Sequence, residues 1–175
     1  RRAPAKAHAV WQKTLAEVGK LIALGPYTKK DLDELWGEGG WRPMQRFGVE
    51  QKRQIRPCDD ARRNLVNALC GMLETNVINV QADFGLRVAR AFSKHLGRER
   101  VGMAMGTDDL ANAYKVVPNA QPWFTTVCCP DPGDLDSDRC FFIVPGHNFG
   151  LVSAVTNFNA VMEFTTFTCA SIMLV

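Results

Sequence analysis

No two of the six cysteines (58, 70, 128, 129, 140 and 169) stand at C-x-x-C spacing, and the three histidines (8, 95 and 147) complete no zinc pattern. The cysteines therefore read as reduced, partly buried thiols, which fits an intracellular protein, cytoplasmic or nuclear. Cys128 and Cys129 are adjacent, so on a strand they point to opposite faces. Arg1-Arg2 is followed by Ala-Pro-Ala rather than an apolar core, so the opening does not read as a signal peptide. Long hydrophobic runs are also missing. The longest, residues 164–175, is broken by Thr165, Thr166, Thr168 and Ser171 and is too short and polar for a bilayer span, so no membrane partner is expected. Gly102 and Gly106 are not followed by Gly-Lys-Ser/Thr, which excludes a P-loop. There is no internal repeat and no low-complexity segment. Basic residues are scarce in the second part of the chain. Residues 101–175 carry 2 Lys and Arg against 7 Asp and Glu, whereas residues 1–100 carry 19 against 11. Such a division suits a protein that holds polyanions with one part and cations with the other.

What is present is enough for a domain with a sizeable core: 175 residues, 46% of them hydrophobic. Residues 5–24 read as a helix, with Val10, Leu15, Val18, Leu21 and Ile22 at helical spacing and Gly25-Pro26 ending it. Thr28 with Asp31 forms a capping box for a short helix through Trp36, and Gly37, Gly39 and Gly40 follow as a loop. Residues 41–63 are basic. Within them 47–51 and 54–56 look extended, with Pro57 ending the second piece. Residues 83–96 have helical periodicity, with Phe84, Val88, Ala91, Phe92 and His95 on one side. Arg87, Arg90, Lys94 and Arg98 form a second, basic stripe, and Gly97 is placed as a cap. Strands are expected at 101–110, 123–129 and 140–144, the last two joined by the turn-rich loop 130–138. A helix starts at Ser153 with Val155, Phe158, Val161 and Met162 on one side. The order predicts an α+β fold with an antiparallel sheet. It divides into an N-terminal helical segment (1–40), a basic region (41–100) and a sheet-bearing region (101–175).

Chemistry is concentrated in 106–118, G-T-D-D-L-A-N-A-Y-K-V-V-P. Carboxylates at the end of a buried strand are costly unless paired or bound to a cation. Asp109 fits two roles on its residues alone: a ligand for Mg²⁺ with Tyr114 as an aromatic wall, or the N-cap of a turn over 110–115. The basic stripe of Arg87, Arg90, Lys94 and Arg98 likewise fits either a nucleic-acid backbone or a solvated helix face. His95 reads as a packed residue and His147 as a turn residue. Asp59-Asp60 reads as structural, fixing a turn or pairing with Arg62 or Arg63.

Three blocks in order resemble the fingers and palm of reverse transcriptases of retroelement type. D-L-A-N-A-Y-K-V-V-P at 109–118 is similar to that family's motif A. R-F-G-V-E-Q-K-R-Q-I-R-P-C-D-D at 46–60 is similar to the fingers segment that precedes it. F-G-L-V-S-A-V-T-N-F-N at 149–159 is similar to motif B, with Val155 in place of the usual proline and His147-Asn148 where Leu-Pro is common. The resemblance covers residues 41–162. It implies a palm-like antiparallel sheet with packed helices and an N-terminal fingers region. It makes Asp109 the catalytic metal ligand, assisted by the Leu110 carbonyl, and Arg56 with Lys52 or Arg53 the triphosphate-binding cations. Tyr114 becomes the residue that excludes a ribose 2′-hydroxyl, and Phe149 and Gly150 line the nucleotide and template site. Arg87, Arg90, Lys94 and Arg98 are the expected nucleic-acid contacts.

The implied reaction is addition of a dNTP to a primer 3′-hydroxyl on an RNA or DNA template, with two Mg²⁺ ions. The family's motif C is not found before Val175, and Asp108 cannot replace it because it adjoins Asp109 on one strand and faces the other way. The resemblance therefore expects a fragment holding half a metal site and inactive alone. Two other readings stand beside it: a non-catalytic nucleic-acid-binding remnant, and an unrelated cytosolic α+β interaction domain.

Overall fold

The computed structural model describes residues 5–71, Arg87, Arg90, Lys94 and residues 112–173, without the side chains of 166–173. The chain divides into two compact units, residues 1–73 with 112–175 and residues 74–111. In the first, the elements are α1 (Ala5–Gly19), β1 (Leu24–Tyr27), α2 (Lys29–Trp36), β2 (Met44–Gln51), β3 (Gln54–Asp59), α3 (Val66–Leu69), β4 (Thr126–Cys128), β5 (Phe141–Ile143) and α4 (Val152–Met173). Two 3₁₀ turns, Ala113–Val116 and Pro122–Phe124, precede β4. No helix among the described residues is long and apolar enough to cross a membrane.

The fold is α+β, as the sequence predicts, but its sheet is mixed. The strand order is β1-β5-β4-β2-β3. β1 with β5, β5 with β4 and β2 with β3 are antiparallel, whereas β2 runs parallel to β4 through Met44↔Val127 and Gln45↔Cys128. This corrects the expected antiparallel sheet. A parallel pair needs a long crossover, and the many residues between β2 and β4 provide it.

Local signals explain most boundaries. The capping box forms as expected. Asp31 N–H donates to Thr28 Oγ1 at 3.0 Å and Thr28 N–H to the Asp31 carboxylate at 2.8 Å. Helix α1 ends earlier than its apolar pattern predicts. Leu21 adopts φ 58°, and the N–H groups of Ile22 and Ala23 fold back onto the Glu17 carbonyl. The apolar residues beyond Leu21 thus lead into β1, where Leu24 pairs with Ile143. β3 continues through Pro57, which sits opposite Gly48. β3 is an edge strand, where the missing N–H of proline is tolerated.

One face of the sheet carries the core. Trp11 of α1 meets Phe142 edge to face at 5.5 Å. Val10, Met44, Val127, Val144, Ala61, Val66, Leu151 and Ala154 close around them. Gly48 lets α1 pack close to the hairpin, because a Cβ there would lie 2.8 Å from Val10 Cγ2 and 2.7 Å from Ile55 Cγ2. In α4 the inward positions are Leu151, just before the helix, Ala154 and the half-buried Phe158 and Met162. Val155 and Val161, placed on the inner side by the sequence pattern, are each 47% exposed. Stepping by three to four residues from Ala154 puts Phe158 and Met162 inward and leaves those two valines off the stripe.

Candidate functional site

Alternation along β2 places Met44 and Arg46 on the buried face. Arg46 therefore enters the core as a charged group and must be paired. Its cross-strand neighbour is Asp59. The guanidinium forks onto that carboxylate, Nε to Oδ1 at 2.7 Å and Nη2 to Oδ2 at 3.0 Å. Nη1 donates to Glu17 Oε2 at 2.8 Å and to Thr14 Oγ1 at 3.2 Å. Glu17 in turn accepts from Lys115 Nζ. Asn148 Nδ2 donates to Asp59 Oδ2 at 2.9 Å, while its fully buried Oδ1 has no partner among the described residues. The side chains of Arg46 and Asp59 are 0% and 2% exposed. Burial acts to lower the Arg46 pKa, but Asp59 and then Glu17 outweigh it and hold the guanidinium above its ordinary value.

This buried network joins four parts of the first unit: helix α1, the β2–β3 hairpin, the turn at 113–116 and the loop before α4. The hairpin carries Lys52, Arg53 and Arg56, all exposed. Lys52 and Arg53 form its tip with φ 47° and 65°. Both occupy the left-handed region, where Asn and Gly are the usual residues of a two-residue hairpin turn, so two cations are displayed at the expense of backbone comfort. On β3, Arg56 lies opposite Val49. Cys58, also on β3, lies opposite Phe47. Burial and the Asp59 charge push its thiol up, while Arg46, Arg56 and Lys115 act in the other direction.

The turn bearing Tyr114 is fastened to the loop before α4. His147 N–H donates to the Tyr114 carbonyl at 3.1 Å. The His147 ring is buried, with Nδ1 3.0 Å from the Val117 carbonyl and Nε2 2.8 Å from Asn157 Nδ2. Those partners make Nδ1 the protonated nitrogen. His147 is therefore a buried strut rather than the plain turn residue expected. Tyr114 is half-buried, and its ring meets Phe149 at 5.1 Å and Phe158 at 5.4 Å, both edge to face. Residues from the motif A-like and motif B-like blocks thereby form one aromatic cluster.

Gly150 has φ 107°, and a Cβ there would lie 2.5 Å from the Asp59 carbonyl oxygen. The close approach that glycine permits here is to the end of β3. Asn67 completes the dock. Its Nδ2 donates to the Gly150 carbonyl at 2.8 Å, and its Oδ1 accepts the Val152 N–H at 3.0 Å, capping α4 from a distant segment. Asn67→Ala should cost about 1 kcal/mol, the usual loss for a helix cap. A shift in the denaturant midpoint with an unchanged slope checks it.

Several expected site residues lie outside the described residues: Asp109, Leu110 and Arg98. Arg87, Arg90 and Lys94 are helical and exposed within the second unit. Among the described residues, no group of three or more His, Cys, Asp or Glu side chains could hold a metal ion. Asp59 pairs with Arg46 rather than with Arg62 or Arg63, which corrects the expected partner. Asp60 does fix the following turn, accepting the Arg63 N–H at 2.9 Å. Sequence reasoning missed Arg46, Glu17, Lys115, Asn148 and Asn67. The one available signal was the period-2 alternation that sets Arg46 on the face of Met44. No protein-family model matches the chain, and no curated protein matches it.

Proposed function

We propose that the chain carries the fingers and part of the palm of a template-directed DNA polymerase of reverse-transcriptase type. The observation that supports this most is the convergence of separate blocks. Tyr114 packs edge to face against Phe149, and the adjacent Lys115 is tied through Glu17 and Arg46 to the hairpin that displays Lys52, Arg53 and Arg56. In this reading a primer 3′-hydroxyl attacks the α-phosphate of a dNTP paired to an RNA or DNA template, and pyrophosphate leaves. Arg56, with Lys52 or Arg53, neutralises the triphosphate, and Tyr114 and Phe149 bound the sugar and base. The exposed Arg87, Arg90 and Lys94, together with Arg98 of the same sequence stripe, are the proposed contacts to the nucleic-acid backbone. Asp109 and the Leu110 carbonyl are the proposed Mg²⁺ ligands. When bound, the metal supplies charge neutralisation on the attacking and leaving oxygens.

The test is steady-state primer extension by the intact polypeptide that contains this chain. Arg56→Ala is expected to raise the apparent KM for dNTP at least tenfold while primer–template affinity changes little, because a charge-assisted contact to phosphate is worth about 1.5–3 kcal/mol. Equal losses in both, or no change in KM, would remove Arg56 from the triphosphate site.

A further inference from the structure

Cys128 is the last residue of β4, and Cys140 stands immediately before β5. Their Sγ atoms are 3.8 Å apart at the neck of the loop that joins the two strands. The neck is held together by the backbone. Cys129 N–H donates to the Cys140 carbonyl at 2.8 Å, and Cys128 pairs with Phe141. Both facing thiols are only partly buried, so a small reagent can reach them. Cys129 is sorted to the other side. It is 3% exposed, and its Sγ accepts from Thr14 Oγ1 at 3.9 Å. Strand alternation thus sends one of two adjacent thiols into the core and the other to a partner thiol. Cys58 and Cys70 belong to other segments, β3 and the end of α3.

We propose that Cys128 and Cys140 form a redox-active dithiol that reacts with low-molecular-weight disulfides of the glutathione type and closes into a Cys128–Cys140 disulfide across the neck of the 129–139 loop. An S–S bond of about 2.05 Å requires the sulfurs to close by less than 2 Å. Cys140 lies outside the β ladder, so side-chain rotation with a small backbone adjustment supplies that movement.

The order of events follows from the two environments. Burial, and then the neighbouring Cys140, pushes the Cys128 thiol up, and Cys140 sits at the loop end outside the ladder, so the first exchange is assigned to Cys140. Cys140 attacks first. Its sulfur bonds to one sulfur of the small disulfide, the external S–S bond breaks, and one small thiol leaves with the proton that Cys140 gave up. Cys128 then loses its proton and attacks the Cys140 sulfur of the mixed disulfide. The second small thiol leaves with that proton. Two protein thiols are oxidised to one disulfide, and one external disulfide is reduced to two thiols. The product ties the neck of an exposed loop carrying Asp131, Asp134, Asp136 and Asp138.

The experiment is thiol mapping of the chain after equilibration with oxidised glutathione. Free thiols are alkylated under denaturing conditions, the protein is digested, and the peptides are identified by mass spectrometry. The expected result is one intrachain cross-link, Cys128 to Cys140, reversed by a dithiol reductant, with Cys129 recovered as a free thiol. In Cys128→Ser, Cys140 should stop at the glutathione mixed disulfide. In Cys140→Ser, Cys128 should react more slowly than Cys140 does in Cys128→Ser. Independent glutathionylation of both residues without a cross-link, a cross-link to Cys129, or reaction of Cys128 in Cys140→Ser as fast as that of Cys140 in Cys128→Ser would overturn the proposal. Mapping of the unsubstituted chain decides the cross-link even where a variant fails to fold.

Discussion

Arg46→Ala is expected to cost about 3–5 kcal/mol, enough to abolish cooperative folding in a marginal domain. The reason is the charge left behind. Asp59 is 2% exposed, and its two carboxylate oxygens take two of the guanidinium's N–H groups. Removing Arg46 leaves Asp59 with Asn148 Nδ2 and no bonded cation among the described residues, and it leaves Glu17 with Lys115. Arg46→Lys should recover only part of the loss, because an ammonium group cannot reproduce the planar fork that meets both Asp59 oxygens. Combining Arg46→Leu with Asp59→Leu should cost much less than the sum of the two single changes, because no buried charge is then left at that pair. Chemical denaturation of the natural sequence, Arg46→Ala, Arg46→Lys, the two leucine single variants and their double measures this. A loss below about 1 kcal/mol in Arg46→Ala would show that water reaches the pair.

The second large effect concerns sugar choice. On the proposed function, Tyr114→Ala is expected to raise rNTP use relative to dNTP by orders of magnitude. In the proposed site the ring lies beneath the sugar's 2′ position, where an added hydroxyl meets it, and alanine opens that space. Tyr114 also packs on Phe149 and Phe158, so the same substitution costs stability through a cavity. Tyr114→Phe separates the two roles. It keeps the ring and its packing, and it should preserve discrimination. Primer extension with each nucleotide type gives the ratio. A ratio unchanged in Tyr114→Ala, with dNTP activity retained, would make Tyr114 a packing residue only.

The parts of this structure that were legible in the sequence are those fixed by neighbours in the chain. Thr28 and Asp31 cap α2 through atoms three residues apart, and the Pro/Gly/Asp-rich loop at 130–138 separates two apolar strands as its composition requires. The β2–β3 hairpin was readable as two extended pieces, though not its length, because Pro57 is allowed at a sheet edge. Features set by distant pairing were not readable. Arg46 looks like one more cation in a basic segment until β3 brings Asp59 beside it and α1 brings Glu17. The parallel β2–β4 pair depends on a crossover of many residues. Asn67 caps a helix that begins at Val152, a relation no local pattern encodes. Of the candidate site, the hairpin cations and the Tyr114 and Phe149 blocks were selected from sequence. The buried network that links them was not.

The most direct measurement is incorporation of labelled dNTP by the intact polypeptide on a defined primer–template, with and without Mg²⁺, for the natural sequence and Asp109→Asn. The account predicts incorporation that follows the template base, requires the metal, and falls by at least a thousandfold in Asp109→Asn, with an unchanged circular dichroism spectrum; about 4 kcal/mol of lost transition-state stabilisation corresponds to that factor. Template-directed synthesis that survives Asp109→Asn, or none by the natural sequence in its intact form, would contradict it.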